Sequence, residues 1–128
     1  MRVGGVMTAN NGWQMKQGRS LELLVEKLER LLANDARVHI ESPKKIRDTQ
    51  TQKLREHDVV LTYKQSHHEL IVAIECKDIS RPVGVPDIEA FATKCRHTNI
   101  NHGVIVSSSG FASTALQKAS KMGIKCLE

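Results

Sequence analysis

Leu70-Ile71-Val72-Ala73-Ile74-Glu75-Cys76-Lys77 is an apolar run that ends on two opposite charges. Its length and polar flanks predict a buried β-strand. Side chains alternate along a strand, so Glu75 and Lys77 share one face and Cys76 takes the other. Charges are costly to bury unless they are paired or bound. The two are therefore either a structural ion pair closing a strand or part of a binding site. Upstream, Asp58 opens a second strand, Val59-Val60-Leu61-Thr62-Tyr63, and a polar loop from Lys64 to Glu69 joins the two as an antiparallel hairpin. Pairing Tyr63 with Leu70 sets Asp58 across from Glu75, and cross-strand neighbours have Cβ atoms ~5 Å apart. A slip of one residue would send the two carboxylates to opposite faces.

The rest of the chain supplies the layers around this hairpin. Leu21, Leu24, Val25, Leu28, Leu31 and Leu32 recur at helical spacing, with Ser20 as N-cap and Glu26–Arg30 as a supporting pair. Glu22 flanks the apolar stripe, where it either reaches inward or stays solvated in the first turn. Ala36 to Glu41 alternates as a short strand that Ser42-Pro43 breaks. The stretch Lys44-Lys45-Ile46-Arg47-Asp48-Thr49-Gln50-Thr51-Gln52-Lys53-Leu54-Arg55 has too few apolar residues for a core element. It reads either as a solvated loop or as a flexible arm that contacts phosphates. Downstream of Lys77 a turn leads into a helix with Pro86 near its start and Val85, Ile88, Phe91, Ala92 and Cys95 on one face. Val104-Ile105-Val106 is an apolar strand, Ala112 to Met122 a last helix stopped by Gly123, and Ile124 to Leu127 a closing strand. The predicted order is α-β-β-β-α-β-α-β. Its strand–helix–strand crossovers put parallel strands beside the hairpin, so the fold class is an α/β sandwich with a mixed sheet flanked by helices.

The 128 residues suit one domain. Residues 1–15 read as a flexible N-terminal lead-in and 16–128 as the domain. Nineteen Lys and Arg against fourteen Asp and Glu give a net charge of +5, which favours a polyanionic partner. No apolar run approaches the ~20 residues of a membrane helix. The N-terminus is too Gly-rich for a signal-peptide core. Three cysteines without a Cys-x-x-Cys pair point to packing in a reducing, cytoplasmic compartment. No His/Cys spacing resembles a zinc site. His67-His68 belongs to a solvated turn, and His97 and His102 have no regular partner.

Two carboxylates on adjacent strands are enough to hold one hard divalent cation, Mg²⁺ or Mn²⁺, if water and phosphate oxygens complete its shell. In that reading Asp58 and Glu75 are the metal ligands. Lys77, on the same face, assists a water nucleophile and offsets charge in the transition state. Lys44, Lys45, Arg47, Lys53 and Arg55 then serve as phosphate contacts to a polyanion such as nucleic acid. The backbone carbonyl of Cys76, between the two charges, is a further candidate ligand.

Asp58 followed by Glu75-x-Lys77 on the next strand, after an acidic N-terminal helix, resembles the PD-(D/E)xK nuclease superfamily, in its Mrr-like restriction endonuclease branch related to Holliday junction resolvases. Gly18-Arg19-Ser20-Leu21-Glu22 is similar to the first-helix segment of that branch, and Arg55-Glu56-His57-Asp58-Val59 to its approach to the first acidic residue. Glu75-Cys76-Lys77 matches its Glu-Cys-Lys, and Gly103 to Phe111 its segment before the last helix. His57 stands where the superfamily has proline. The resemblance covers most of the chain from Gly18. It implies a restriction-endonuclease-like fold, Mg²⁺-dependent hydrolysis of DNA phosphodiester bonds, and a contribution to the site from Glu22, for which Glu26 and Glu29 are neighbouring alternatives.

The leading expectation is therefore an Mg²⁺-dependent endodeoxyribonuclease. Two others stand beside it: a nucleic-acid-binding module of the same fold that is inactive or needs a partner, and an assembly domain in which Asp58, Glu75 and Lys77 form only a charge network. A chain this short has no room for a separate sequence-reading domain. Specificity would come from loops, a homodimer, DNA shape, a fused domain or a separate subunit.

Overall fold

The computed structural model describes residues 12–128, with side chains from Ser20 onward. Helix α1 (Gly12–Leu32) is followed by β1 (Val38–Glu41), β2 (Lys44–Arg47), β3 (Leu54–His57), β4 (Val59–Gln65) and β5 (His68–Lys77). Then come α2 (Val85–His97), β6 (His102–Ser107), α3 (Ser113–Met122) and β7 (Ile124–Leu127). Five strands make one mixed sheet in the order β1-β4-β5-β6-β7. The β1–β4 and β4–β5 pairs are antiparallel, and β5–β6 and β6–β7 are parallel. This is the expected architecture, a mixed sheet flanked by helices.

Alternation along the strands sorts the apolar residues into two cores. Ala73 of β5 and Ile105 of β6 pack with Ile88, Phe91, Ala92 and Cys95 of α2 and with Ala115 and Ala119 of α3. Their neighbours Ile74, Val104 and Val106 point to the other side, where Val25, Leu21, Leu24 and Leu28 of α1 cover them. The sheet is thus the middle of three layers. Val25, Val59, Ile88 and Ile105 are completely buried. At ~1.5–3 kcal/mol for each large apolar side chain removed from water, these two interfaces are the main stabilising term.

Three boundaries differ from the expectations. Helix α1 is already formed at Gly12, so Ser20 lies inside it rather than at its cap. The lead-in expected over 1–15 falls outside the described residues up to Asn11, and from Gly12 it is helix. Strands β4 and β5 run further than their apolar parts, because Lys64 pairs with Glu69 and Gln65 with His68. That leaves a two-residue turn, with Ser66 at a φ of 55°.

The third difference is the largest. The polar stretch from Lys44 to Arg55 is neither a solvated loop nor a flexible arm. It folds as an antiparallel hairpin of β2 and β3, apart from the main sheet. Its turn is built on Asp48, which is 1% exposed although the residues beside it are polar. The Asp48 carboxylate accepts from the backbone N–H groups of Gln50 (2.7 Å) and Thr51 (3.1 Å) and from Arg55 Nη1 (2.9 Å). The backbone N–H of Thr49 donates to the His97 carbonyl at the end of α2, which anchors the hairpin to the domain. Hydrogen bonds to a buried carboxylate take the place that apolar residues hold elsewhere, and hydrophobic periodicity does not see them.

Candidate active site

The site begins with register. Val59 pairs with Ile74 and Tyr63 with Leu70, so Asp58, just before β4, falls beside Glu75. Asp58 Oδ2 accepts a hydrogen bond of 2.8 Å from the backbone N–H of Cys76. Ser42 Oγ, buried after β1, donates to the Asp58 carbonyl at 2.7 Å and fixes the same turn from the other side. Glu75 and Lys77 share the sheet face covered by α2, and their side chains meet at 3.4 Å. The structure therefore brings Asp58, Glu75 and Lys77 together at one end of the sheet.

Sequence reasoning missed one member of this cluster. Lys94 of α2 donates to Glu75 Oε1 at 2.9 Å and to the Glu56 carbonyl at 3.0 Å. Its side chain is 14% exposed, less than the 28% of Lys77, so it is the more enclosed of the two lysines. The local sign is a single charge within the otherwise uncharged stretch Phe91-Ala92-Thr93-Lys94-Cys95.

Burial pushes the Asp58 carboxyl above the ordinary range; the Cys76 N–H opposes this, the negative charge of Glu75 adds to it, and Lys94 and Lys77 partly offset it. At Asp58, desolvation outweighs the nearby cations. His57 is completely buried and bonds Thr98 Oγ1 through Nε2 at 2.9 Å. Burial, aided by the charge of Lys94, pulls its pKa down to about 4, so it is a neutral core residue. The residue that departs from the superfamily's proline thus packs the hairpin against α2. Burial also pushes the Cys76 thiol up to about 12, which removes it as a nucleophile.

Glu22 is half-buried on α1, whose Leu21, Leu24 and Val25 pack on the sheet face opposite Glu75. Glu26 is exposed and paired with Arg30 at 2.8 Å. Among the described residues no three His, Cys, Asp or Glu side chains gather as a metal shell. Asp58 and Glu75 still fit a hard cation: the Cys76 N–H fixes Asp58 Oδ2 and leaves Oδ1 to offer, and Glu75 Oε2, 3.4 Å from Lys77, is held less closely than Oε1, 2.9 Å from Lys94.

The basic residues divide as well. Lys44 is bound to Glu41 at 2.7 Å and Arg55 to Asp48 at 2.9 Å. Lys45, Arg47 and Lys53 are exposed, with Lys45 and Arg47 on the outer face of the hairpin. Among the described residues no helix is long and apolar enough to cross a membrane.

A family model described as restriction endonuclease, Mrr_cat, matches residues 16–128. A solved chain named Protein of Unknown Function AF1548 superposes with a TM-score of 0.62 at 20% identity, covering 83% of this chain and 56% of that one. A second, DNA modification-dependent restriction endonuclease AspBHI, has a TM-score of 0.49 at 15% identity over 99% of this chain and 37% of its own. The chain thus spans little more than half of the first of these and a smaller part of the second. No curated protein matches it. With the family model covering nearly all of the described residues, the chain belongs to the Mrr_cat family of restriction endonuclease domains.

Proposed function

We propose that this domain is a metal-dependent endonuclease that hydrolyses DNA phosphodiester bonds at the end of the sheet bearing Asp58, Glu75 and Lys77. The observation that carries this reading is the register of β4 on β5, which puts the two carboxylates and the lysine on one face at one end of the sheet. Asp58 and Glu75 would hold Mg²⁺, with Mn²⁺ as a substitute and the Cys76 carbonyl as a further ligand. The bound ion would supply charge neutralisation at the scissile phosphate and a more acidic water. Lys77 orients the attacking water and offsets the charge that grows on the phosphate oxygens. The exposed cations of the β2–β3 hairpin, which runs directly into Asp58, hold the DNA backbone. Free cysteines at 76, 95 and 126 suit the reducing cytoplasm. Sequence or structure preference is left to loops, to a two-fold dimer, or to a further domain or subunit.

The test is cleavage of plasmid and branched DNA with Mg²⁺ or Mn²⁺ against EDTA. Metal-dependent nicking that is lost in Glu75→Ala and Lys77→Ala is expected. Cleavage that survives either substitution would sink the assignment, as would none across all DNA forms and metals. In that last case, salt-sensitive binding without a product would identify a non-cutting DNA-binding module.

A further inference from the structure

Glu75 faces two ammonium groups, one at each oxygen: Lys94 on Oε1 at 2.9 Å and Lys77 at 3.4 Å from Oε2. One lysine is enough to pair one carboxylate. The second has a different environment: Lys94 is 14% exposed, lies 6.0 Å from the centre of the Phe91 ring, and gives a further hydrogen bond to the Glu56 carbonyl. Glu56 is two residues ahead of Asp58. Lys94 therefore ties the acidic strand end of β5 to the backbone leading into the other acid.

A charge count gives this arrangement a purpose. Asp58 and Glu75 carry two negative charges when ionised, and Lys77 and Lys94 carry two positive ones. The cluster is neutral before any metal arrives. Without Lys94 a half-buried pair of carboxylates would face one cation, and clustered like charges cost stability.

We propose that Lys94 is a built-in surrogate cation, which balances the Asp58–Glu75 pair in the metal-free protein and opposes the entry of a divalent ion. This rests on the metal-site reading above. Lys94 then sets how tightly the metal is held before DNA arrives: a divalent ion leaves the cluster with surplus positive charge, which the polyanion offsets. It is a positioning residue, acting on Glu75 and through Glu75 on the ion.

The experiment uses the full chain without DNA, so cleavage plays no part. Thermal melting and calorimetric titration with Mg²⁺ are compared for wild type, Lys94→Met and Asp58→Asn. Metal-free Lys94→Met is expected to melt below wild type, with Mg²⁺ closing most of the gap. Its Mg²⁺ affinity is expected to rise about tenfold, a modest effect for removing a unit charge this close to a ligand. A melting deficit that Mg²⁺ does not narrow would mark Lys94 as purely structural, and an unchanged or weaker affinity would overturn the proposal. If Lys94→Met does not fold, Lys94→Gln, which keeps a donor without the charge, is judged by the same two readouts. The two levels fail differently. A wild-type Mg²⁺ response that is absent, or that survives Asp58→Asn, overturns the metal site itself and Lys94's role with it. A wild-type response lost in Asp58→Asn but unaltered by Lys94 substitution overturns only the surrogate cation.

Discussion

Asp58 Oδ2 and the backbone N–H of Cys76 are joined by a hydrogen bond of 2.8 Å, which fastens the first acid to the strand carrying the second. The bond lies between Glu75 and Lys77 in sequence, so it sets the spacing of all three groups at once.

Asp58→Asn keeps an acceptor for that bond and removes the charge. Metal-dependent cleavage should fall by about 100-fold or more, the scale expected when a charge-stabilising group is removed. Metal-free stability should hold or rise, because burial and Glu75 both disfavour the ionised form of Asp58. Paired nicking assays and thermal melts check this; a large drop in melting temperature would mean the carboxylate is a structural anchor instead.

Lys77→Met should leave DNA binding within a few-fold of wild type and reduce cleavage by ~10²–10⁴. The Glu75–Lys77 pair is 3.4 Å apart and partly exposed, so stability should change by less than about 1 kcal/mol. Binding and single-turnover cleavage measured on one substrate separate the two effects.

Lys45→Ala with Arg47→Ala should weaken DNA binding and flatten its salt dependence, by ~0.9 in the log–log slope for each phosphate that is no longer neutralised. Lys44→Ala should act differently, because Lys44 is bound to Glu41. Equal slopes for wild type and the double variant would remove the hairpin from the DNA interface.

Asp48 predicts an acid-sensitive hairpin. Burial works to raise its pKa, but the N–H groups of Gln50 and Thr51, Arg55 and the charge of His97 outweigh it, and the carboxyl ends below the ordinary 3.8. A depressed folded-state value means the unfolded chain binds the proton more readily. The stabilisation is thus present above pH ~4 and is lost as pH falls through the folded-state pKa. Asp48→Asn should flatten that acid limb and speed amide exchange over residues 44–57, both measurable by hydrogen exchange across a pH series.

Gly103→Ala should destabilise the domain by about 1–3 kcal/mol, the range for overpacking a filled core. A Cβ there would stand 2.8 Å from Phe91 Cε2, 2.9 Å from Ile124 Cδ1 and 3.1 Å from Cys95 Sγ, with α2 and β7 closing in from two sides. A denaturant midpoint unchanged from wild type would show that the layers can move apart at no cost.

Much of this protein was determined by its sequence. The alternation and apolar runs of β4, β5, β6 and β7 and the helical spacing of Leu21 to Leu32 dictate the sheet and its layers, because burial of one face is what holds each element in place. The loop length between Tyr63 and Leu70 was enough to place Asp58 beside Glu75. Tertiary structure alone decided the rest. The β2–β3 hairpin is held by hydrogen bonds to buried Asp48 and by its link to α2, neither of which leaves a periodic trace. His57 looked like a small departure from a motif and became a buried partner of Thr98. Glu22 rides on a helix whose apolar residues cover the sheet face opposite Glu75, a placement set by packing and not by spacing. Lys94 is far from Glu75 in sequence and 2.9 Å from it in space. Local pattern says which face of an element is buried, but not which charge on a neighbouring element lies beneath it. That depends on how the layers stack, and only the folded chain brings Lys94 down onto Glu75.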